Sequence, residues 1–274
     1  MEHGKAKGAA GPEGLSDPLT QAVRTRDAEV MTHVRAAVDA NEMALAFQPI
    51  VRAGPEGRVA YYEGLVRIFD PSGRIIPAAE FMAEAEISEL GRQIDCIALE
   101  LGLRTLQAQP HLRLAINMSA RSIGYPRWMR TLKRALMRDS TLGDRLILEI
   151  TEQSAMLVPE LVVNFMRDLQ RQGISFALDD FGAGYTSFRF LRDFYFDILK
   201  IDGGFIRGIA DNPDNQVLTR ALITIGQQFD MFTVAERVED SRDAAWLTEN
   251  GIQYLQGYYF AAPTLYPPWA KRPA

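Results

Sequence analysis

The amino-acid sequence predicts an α/β fold, a TIM-type (β/α)8 barrel whose first strand runs antiparallel to its neighbours. Three observations lead to this prediction. Eight strand-like segments follow one another along 274 residues. From the second segment onwards, helical patterns fill the gaps, as in parallel sheets built from strand–helix–strand units. The first two segments, however, are separated only by residues 52–58, which is too short for a parallel crossover.

The elements come in a regular order along the chain. A helix over 19–40 is predicted first, because Val23, Val30, Val34 and Val38 form an apolar stripe with helical spacing. The predicted strands are 44–51, 59–68, 112–119, 145–151, 174–180, 196–202, 232–238 and 252–260. The predicted helices between them are 79–108 (as two helices), 127–138, 156–172, 186–193, 214–229 and 241–250.

The first 18 residues differ from the rest of the chain. They are rich in Gly, Ala and Pro and show no periodicity, so we expect residues 1–18 to be a flexible leader or linker. We expect residues 19–274 to form a single barrel domain, since this length suits one large barrel and no internal repeat is visible.

Composition and charge narrow the possible partners. The net charge is −5, so no overall basic field draws the protein to a nucleic-acid polymer or a membrane. Cys96 is the only cysteine and lies in an apolar helical pattern, where we expect a small core residue. No secretory segment and no apolar run of membrane-spanning length is visible, and a cysteine-poor chain of this kind is expected in the cytoplasm.

Polar residues that can bind a metal or a phosphate recur where the predicted barrel strands run out. They are Glu63, Asn117, Glu149, Asp179, Asp180, Lys200, Asp202, Glu236 and Gln256. A single acid at a strand end is usually a helix cap or a turn residue. Six carboxylates at one barrel mouth, however, repel one another unless cations lie between them. Oxygen ligands without Cys or His favour hard ions such as Mg²⁺, Mn²⁺ or Ca²⁺.

Two adjacent acids, Asp179 and Asp180, raise the question of what neutralises them. A metal ion, a cationic side chain or a proton could do so, and we favour metal because a two-metal site suits phosphoester cleavage. Residues next to each other in a regular strand face opposite ways. The turn at the strand exit must therefore re-aim one of the two carboxylates.

Strand periodicity pairs other candidates. Glu63 and Arg67 lie four residues apart and are expected to share a face, which places a phosphate-binding fork beside a metal ligand. The competing interpretation of Arg67 is a plain salt bridge to a neighbouring acid. Lys200 and Asp202 are likewise expected to share a face, and an amine among carboxylates can orient or deprotonate a water.

Two other interpretations of the stretch DDFGAGYTSF do not hold. A DFG sequence is typical of protein kinases, but the chain lacks the HRD catalytic loop and the Val-Ala-Ile-Lys strand. A glycine loop after a strand is typical of dinucleotide sites, but the third glycine is absent and two acids precede the loop.

Taken together, these residues resemble the EAL family of cyclic di-GMP phosphodiesterases, over roughly 44–263. The motifs that carry the resemblance are EGLVR (63–67), NMS (117–119), LEITE (148–152), DDFGAGYTSF (179–188), LKID (199–202), AERVE (235–239) and QGYYF (256–260). The resemblance implies a barrel with one antiparallel strand and hydrolysis of cyclic di-GMP to linear pGpG. It also implies two Mg²⁺ or Mn²⁺ ions and a homodimer.

The resemblance also assigns roles to individual residues. The implied ligands of the two metals are Glu63, Asn117, Glu149 and Asp179 for one ion and Asp180 for the other. Lys200, Glu236 and Glu152 are the implied catalytic set, with Lys200 positioning the attacking water and Glu152 steadying the loop after Asp180. The implied substrate-binding residues are Arg67, Gln256 and Asp202.

The chain departs from the usual family pattern at a few positions. Gly64 replaces the usual Ala, Ala183 stands where Thr is usual, and Arg237 replaces a usual Gly beside Glu236. No implied metal ligand is lost, so an active phosphodiesterase is the leading hypothesis. The alternative is a weak or inactive cyclic di-GMP receptor on the same fold. A scaffold that binds only protein is disfavoured by the full set of acids.

Overall fold

The structure is a computed structural model that describes residues 17–184 and 191–270, with only the backbone of residues 18 and 19. In these residues one nine-stranded sheet closes on itself. Its strands are β1 (Met43–Arg52), β2 (Val59–Phe69), β3 (Ile75–Ile76), β4 (Leu114–Asn117), β5 (Leu146–Thr151), β6 (Ser175–Phe181), β7 (Ile198–Ile201), β8 (Phe232–Ala235) and β9 (Tyr254–Leu255).

Eight of these strands form the barrel, and the ninth, β3, extends the sheet beyond it. The order is β1-β9-β8-β7-β6-β5-β4-β2, and a further β1–β2 pairing closes the ring. Strand β1 is antiparallel to both of its neighbours, whereas the other barrel pairs are parallel. The predicted barrel with a reversed first strand is therefore confirmed, because the short 53–58 connection leaves β1 and β2 no choice but a hairpin.

The described helices surround the barrel. They are α1 (Pro18–Asp39), α2 (Met82–Glu86), α3 (Glu89–Ala108), α4 (Pro126–Arg138), α5 (Glu152–Ala155), α6 (Pro159–Gln170), α7 (Gly203–Ile206), α8 (Pro213–Gln228) and α9 (Ser241–Glu249). Most follow the predicted ranges closely. The predicted helix over 186–193 falls largely on residues outside the described parts of the chain.

Two predicted elements differ from the structure. The predicted strand 252–260 is only two residues long, because Gly257 packs directly on the backbone of Val238, where a Cβ would lie 2.0 Å from the Val238 carbonyl oxygen. The chain then turns instead of pairing further. The apolar stripe of α1 is also only half right: Val34 and Val38 are buried, but Val23 is 50% exposed.

The core has an outer and an inner part. Between helices and sheet, a large cluster includes Trp128, Phe165 and Phe176, and Cys96 is buried there as expected. Inside the barrel, each strand of the ring contributes one side chain to a single cluster. Its members are Ile50, Tyr61, Ala115, Ile147, Ala177, Ile198 and Val234, with Tyr254 packed against them. This cluster fills the barrel and forms an apolar floor. The side chains two residues further along the parallel strands lie in the next layer above it.

No helix in the described part of the chain is long and apolar enough to cross a membrane.

Candidate active site

The predicted site residues lie one layer above the apolar floor of the barrel. Side chains in a strand repeat with period two. Counting two residues onward from each floor residue of the parallel strands gives Glu63, Asn117, Glu149, Asp179, Lys200, Glu236 and Gln256. The sequence thus alternates between an apolar floor position and a polar mouth position on seven strands.

One residue of this ring does not lie at a strand end. Glu63 is in the middle of β2, which continues past the mouth to Phe69 and pairs there with β1 and β3. The interpretation of Glu63 as a strand-end residue is therefore wrong, although its carboxylate does lie beside the other ring residues. The long β2 carries Arg67 above the ring for the same reason.

Lys200 lies at the centre of the acids and is only 1% exposed. Its Nζ is 2.7 Å from Glu149 Oε2 and 2.8 Å from Asp179 Oδ1. The same nitrogen is 2.9 Å from Glu236 Oε1 and 3.4 Å from Glu63 Oε2. A cationic side chain therefore pairs with Asp179 in this structure, one of the three possibilities that the sequence left open.

The electrostatics of this cluster follow from burial and from excess negative charge. Burial, followed by nearby carboxylates, raises the pKa of Glu149 well above its ordinary value. Burial likewise raises the pKa of Glu236, although Lys200 opposes the shift. Burial alone would lower the pKa of Lys200, but its four carboxylate neighbours raise that pKa well above the usual range. The ammonium is therefore held in its charged form.

Asp179 and Asp180 are brought together by an irregularity of β6. From Leu178 to Phe181 the chain takes three steps, while its partner β7 takes two, from Leu199 to Ile201. The extra residue is a β-bulge, and Asp180 adopts a left-handed φ of +53° there. Aspartate tolerates this conformation better than most residues. The prediction that the strand exit re-aims one of the two carboxylates is thus confirmed.

The bulge creates a cluster of three acids that could hold a metal ion. One carboxylate oxygen from each of Asp179, Asp180 and Glu236 lies within 4.8 Å of the other two. Burial, followed by the charge of Asp179, raises the pKa of the Asp180 carboxyl group. Glu236, expected from the resemblance in the catalytic set, thus lies with the predicted metal ligands.

The donor set fits divalent cations. Five carboxylates (Glu63, Glu149, Asp179, Asp180 and Glu236) surround one ammonium, so four negative charges remain if all are ionised, which two divalent ions would balance. The buried Glu149 Oε1 has no hydrogen-bond partner among the described residues. An unpartnered buried carboxylate oxygen is costly unless a cation or a proton satisfies it.

Two amide side chains complete the ring, and β1 adds a third that was not predicted. Asn117 donates from Nδ2 to Glu63 Oε1 at 2.7 Å. Gln256 donates from Nε2 to Glu63 Oε2 at 2.6 Å and to Gln48 Oε1 at 3.1 Å. Because β1 runs in reverse, Gln48 comes two residues before its floor residue, Ile50, and lies directly opposite Glu63. Counting backwards along the reversed strand would have identified it.

Arg67 and Asp202 lie at the edge of this ring. Arg67 is half-buried and donates from Nη1 to the carbonyl oxygen of Val66. Within the described ranges no carboxylate lies at ion-pair distance from Arg67, so the alternative of a plain salt bridge is not observed. Asp202 caps α7 by accepting a hydrogen bond from Gly204 N at 2.9 Å, and this contact alone gives it a structural role.

Glu152 reaches the loop that follows β6, as expected. It begins α5, is only 5% exposed, and its Oε2 accepts a hydrogen bond from Gly182 N at 3.1 Å. Gly182 has a φ of +97°, and a Cβ there would lie 2.6 Å from the Phe205 ring. The two contacts fix the start of the loop directly after Asp180. Thr186 and Ser187, the other expected partners of Glu152, lie outside the described residues.

The departures Gly64 and Arg237 have distinct surroundings. A Cβ on Gly64 would lie 2.9 Å from Ile116 Cδ1, so the isoleucine fills the space that an alanine methyl would occupy. Arg237 has a φ of +53°, and its aliphatic carbons cover Gly203, where a Cβ would lie 2.3 Å from Arg237 Cδ. The guanidinium acts against the raised pKa of Asp180, so the substitution adds positive charge beside the acidic cluster.

Curated proteins with similar sequences include two phosphodiesterases. The cyclic di-GMP phosphodiesterase PdeR of Escherichia coli is 31% identical over 248 residues, which are 88% of this chain and 37% of PdeR. The cyclic di-GMP phosphodiesterase PdeB of Shewanella oneidensis is 32% identical over 232 residues, 83% of this chain and 27% of PdeB. The chain thus spans well under half the length of these relatives.

Solved structures give a similar result. The PaMucR phosphodiesterase in complex with c-di-GMP has a TM-score of 0.75 at 29% identity, covering 86% of this chain and 97% of that one. The FimX EAL domain from Pseudomonas aeruginosa bound to c-di-GMP has a TM-score of 0.78 at 25% identity. The match covers 86% of this chain and 96% of the FimX domain. Residues 31–263 match the EAL domain, and the chain therefore belongs to the EAL domain family.

Proposed function

We propose that this chain hydrolyses one phosphodiester bond of cyclic di-GMP to give linear pGpG, using two Mg²⁺ or Mn²⁺ ions. The observation that carries the proposal is the three-acid cluster of Asp179, Asp180 and Glu236 beside the buried ring around Lys200. The names of the relatives, cyclic di-GMP phosphodiesterases, support the choice of substrate.

The residues that would hold the ions fall into two groups. Glu63, Asn117, Glu149 and Asp179 would hold one ion, and Asp180 would hold the other with help from Glu236. When bound, the ions would supply an activated water and charge stabilisation at the leaving oxygen. Three of the four residues of the first group also pair with Lys200, and Glu149 does so through Oε2, which leaves its unpartnered Oε1 for the ion.

The chain's own side chains do the remaining work. Lys200 Nζ, held charged among carboxylates, would orient the attacking water. The Arg67 fork, without a carboxylate at ion-pair distance in the described residues, would hold a non-bridging phosphate oxygen. Gln256 and Asp202 would complete the substrate site. Glu152 would act as a positioning residue by holding Gly182 N, and through it the bulge that carries Asp180.

The test is turnover of cyclic di-GMP with separated detection of pGpG, in Mg²⁺, in Mn²⁺ and in EDTA. We expect turnover in either ion and none in EDTA. Asp179→Ala and Glu63→Ala should abolish turnover, while Asp168→Ala, which changes an exposed acid on α6, should leave it intact. Nucleotide binding without pGpG in every metal would favour the receptor alternative. Full activity in EDTA would refute the metal assignment.

A separate experiment isolates Glu152. Glu152→Ala should keep the fold and much of the affinity for cyclic di-GMP, but lose turnover and require more Mg²⁺, because loosely held ligands bind metal less well. Wild-type turnover with wild-type Mg²⁺ dependence would reduce Glu152 to a structural acid.

We also propose that the chain acts as a homodimer in the cytoplasm. The support is the family resemblance for the dimer and the single cysteine of the chain for the location. Sedimentation velocity over a range of protein concentrations tests the dimer, and cell fractionation tests the location.

A further inference from the structure

Helix α4 has a charge that contrasts with the rest of the molecule. It carries five basic side chains and no acidic one, in a chain whose net charge is −5. The basic residues are Arg127, Arg130, Lys133, Arg134 and Arg138, and all five are exposed. Within the described ranges, none of them lies at ion-pair distance from a carboxylate.

The ordinary interpretation of charged helix residues is a solvated face on which opposite charges alternate. Helix α3, the neighbour of α4, fits that interpretation, because Arg92 pairs with Glu89 and Arg104 with Glu100. In α4 no acidic residue alternates with the basic ones. Like charges recur three or four residues apart along its length, and such pairs destabilise a helix. A bound anion would relieve this repulsion.

The two helices enclose a groove on the outer wall of the barrel. The groove has a volume of about 360 Å³, and Leu103 and Ala135 are among its lining residues. Four guanidinium side chains also line it: Arg104 from α3 and Arg127, Arg134 and Arg138 from α4. One carboxylate, Glu100 on α3, lines it too and pairs with Arg104, so the three arginines of α4 are the cations left for an anion. At a rise of about 1.5 Å per residue, Arg127 and Arg138 are roughly 16 Å apart along the helix. None of the ring residues lines this groove, so it is separate from the barrel mouth, and arginines of α4 lie at both of its ends.

We propose that this groove between α3 and α4 is a binding site for a phosphate-bearing anion. Guanidinium forks match phosphate oxygens in pairs, and a phosphate group can engage more than one fork. Trp128 and Leu132, on the apolar face of α4, are buried in the core, so the helix cannot insert into a lipid layer. The exposed arginines can instead be reached by headgroups at a membrane surface or by a soluble phosphate compound.

The test compares three proteins in titration calorimetry with inositol hexakisphosphate, at about 0.15 M salt to screen diffuse attraction. The groove variant is Arg134→Gln with Arg138→Gln. The matched control is Arg24→Gln with Arg113→Gln, which removes the same charge from exposed positions outside the groove. We expect saturable binding in the wild type, weakening by about tenfold or more in the groove variant, and wild-type affinity in the control.

A second arm identifies the source of the phosphate. Co-sedimentation with vesicles containing about one third phosphatidic acid is run on the same three proteins. Binding of the soluble compound alone supports a free phosphate ligand, and binding of vesicles alone supports a lipid headgroup, provided that the groove variant loses it and the control does not. Equal binding by groove variant and control, or no binding to either probe, overturns the proposal. Polyglutamate serves as a third probe, titrated in the same way. Binding of polyglutamate without binding of either phosphate probe also overturns the proposal, in favour of an acidic protein partner.

Discussion

Replacing Lys200 with methionine tests whether the buried ammonium stabilises the acidic ring. In the structure its Nζ lies 2.7–3.4 Å from four carboxylates and is shielded from water. At an effective dielectric constant of about 20, one such pair at 2.8 Å is worth about 6 kcal/mol before desolvation. Desolvating the ammonium offsets much of that, and removing one partner of a buried ion pair typically costs about 3–5 kcal/mol.

The loss in Lys200→Met should depend on pH. Burial and mutual repulsion already raise the pKa of Glu149 and Glu236 in the folded state, and the lost cation would raise them further. A carboxyl group with a raised folded pKa binds more protons when folded, so its contribution to stability is complete below the unfolded pKa and disappears as the pH rises through the folded pKa. One such proton changes the free energy of unfolding by about 1.4 kcal/mol per pH unit.

The assay is urea unfolding in EDTA at pH 6 and pH 8, followed by circular dichroism. Lys200→Met should lose about 3–5 kcal/mol at pH 8 and distinctly less at pH 6. A parallel series in Mn²⁺ without EDTA should recover part of the loss. Lys133→Met, at an exposed position of α4, should stay within about 0.5 kcal/mol of the wild type. A loss below about 1 kcal/mol at both pH values, or a loss that grows as the pH falls, would refute the reasoning.

Three further predictions address other parts of the molecule. Burial raises the pKa of Asp95, on α3, to about 6. Between pH 4 and 6 this acid is ionised in the unfolded chain but still protonated in the folded protein, so its contribution to stability is lost over that range. Asp95→Asn should therefore gain about 1–3 kcal/mol at pH 8 in urea unfolding but little at pH 4, with Asp168→Asn as an exposed control. Gly64→Ala should cost about 1 kcal/mol through its contact with Ile116, and Ile116→Val should restore most of that loss; additive losses in the double variant would contradict this account. Arg67→Ala should weaken cyclic di-GMP binding by about tenfold or more in calorimetry while Mn²⁺ binding stays unchanged, and wild-type nucleotide affinity would exclude Arg67 from the site.

Much of the ring could be predicted because it depends on local rules. A period of two along a strand, together with the apolar floor, determines which side chains face the barrel mouth. Glu149, Lys200 and Gln256 could be identified from the sequence because each lies close to the point where a predicted strand runs out, and the floor shows why these positions face the mouth. The hairpin between β1 and β2 followed from loop length alone. These features need no knowledge of how distant segments meet.

Other features depend on closure of the barrel and could not be obtained that way. The four contacts of Lys200, on β7, reach β2, β5, β6 and the residue directly after β8, and their distances are set by the radius of the barrel. Gln48 was missed because the candidates were taken from the ends of strands, and the reversed β1 reaches the mouth before its end. The termination of β9 depends on the close approach of Gly257 to Val238, which no local pattern indicates.

The bulge in β6 has a consequence for how related sequences are judged. Both aspartates can be present in a chain that still fails to bring them together, because their convergence depends on backbone shape. Gly182 is part of that shape: a side chain there would meet Phe205 and would also need an unfavourable positive φ. A relative that keeps every acid but carries a bulky residue at this position would have all the candidate metal ligands in its sequence and yet lack the three-acid cluster. Counting conserved acids is therefore a weaker criterion for enzymatic competence in such barrels than checking the glycine that follows them.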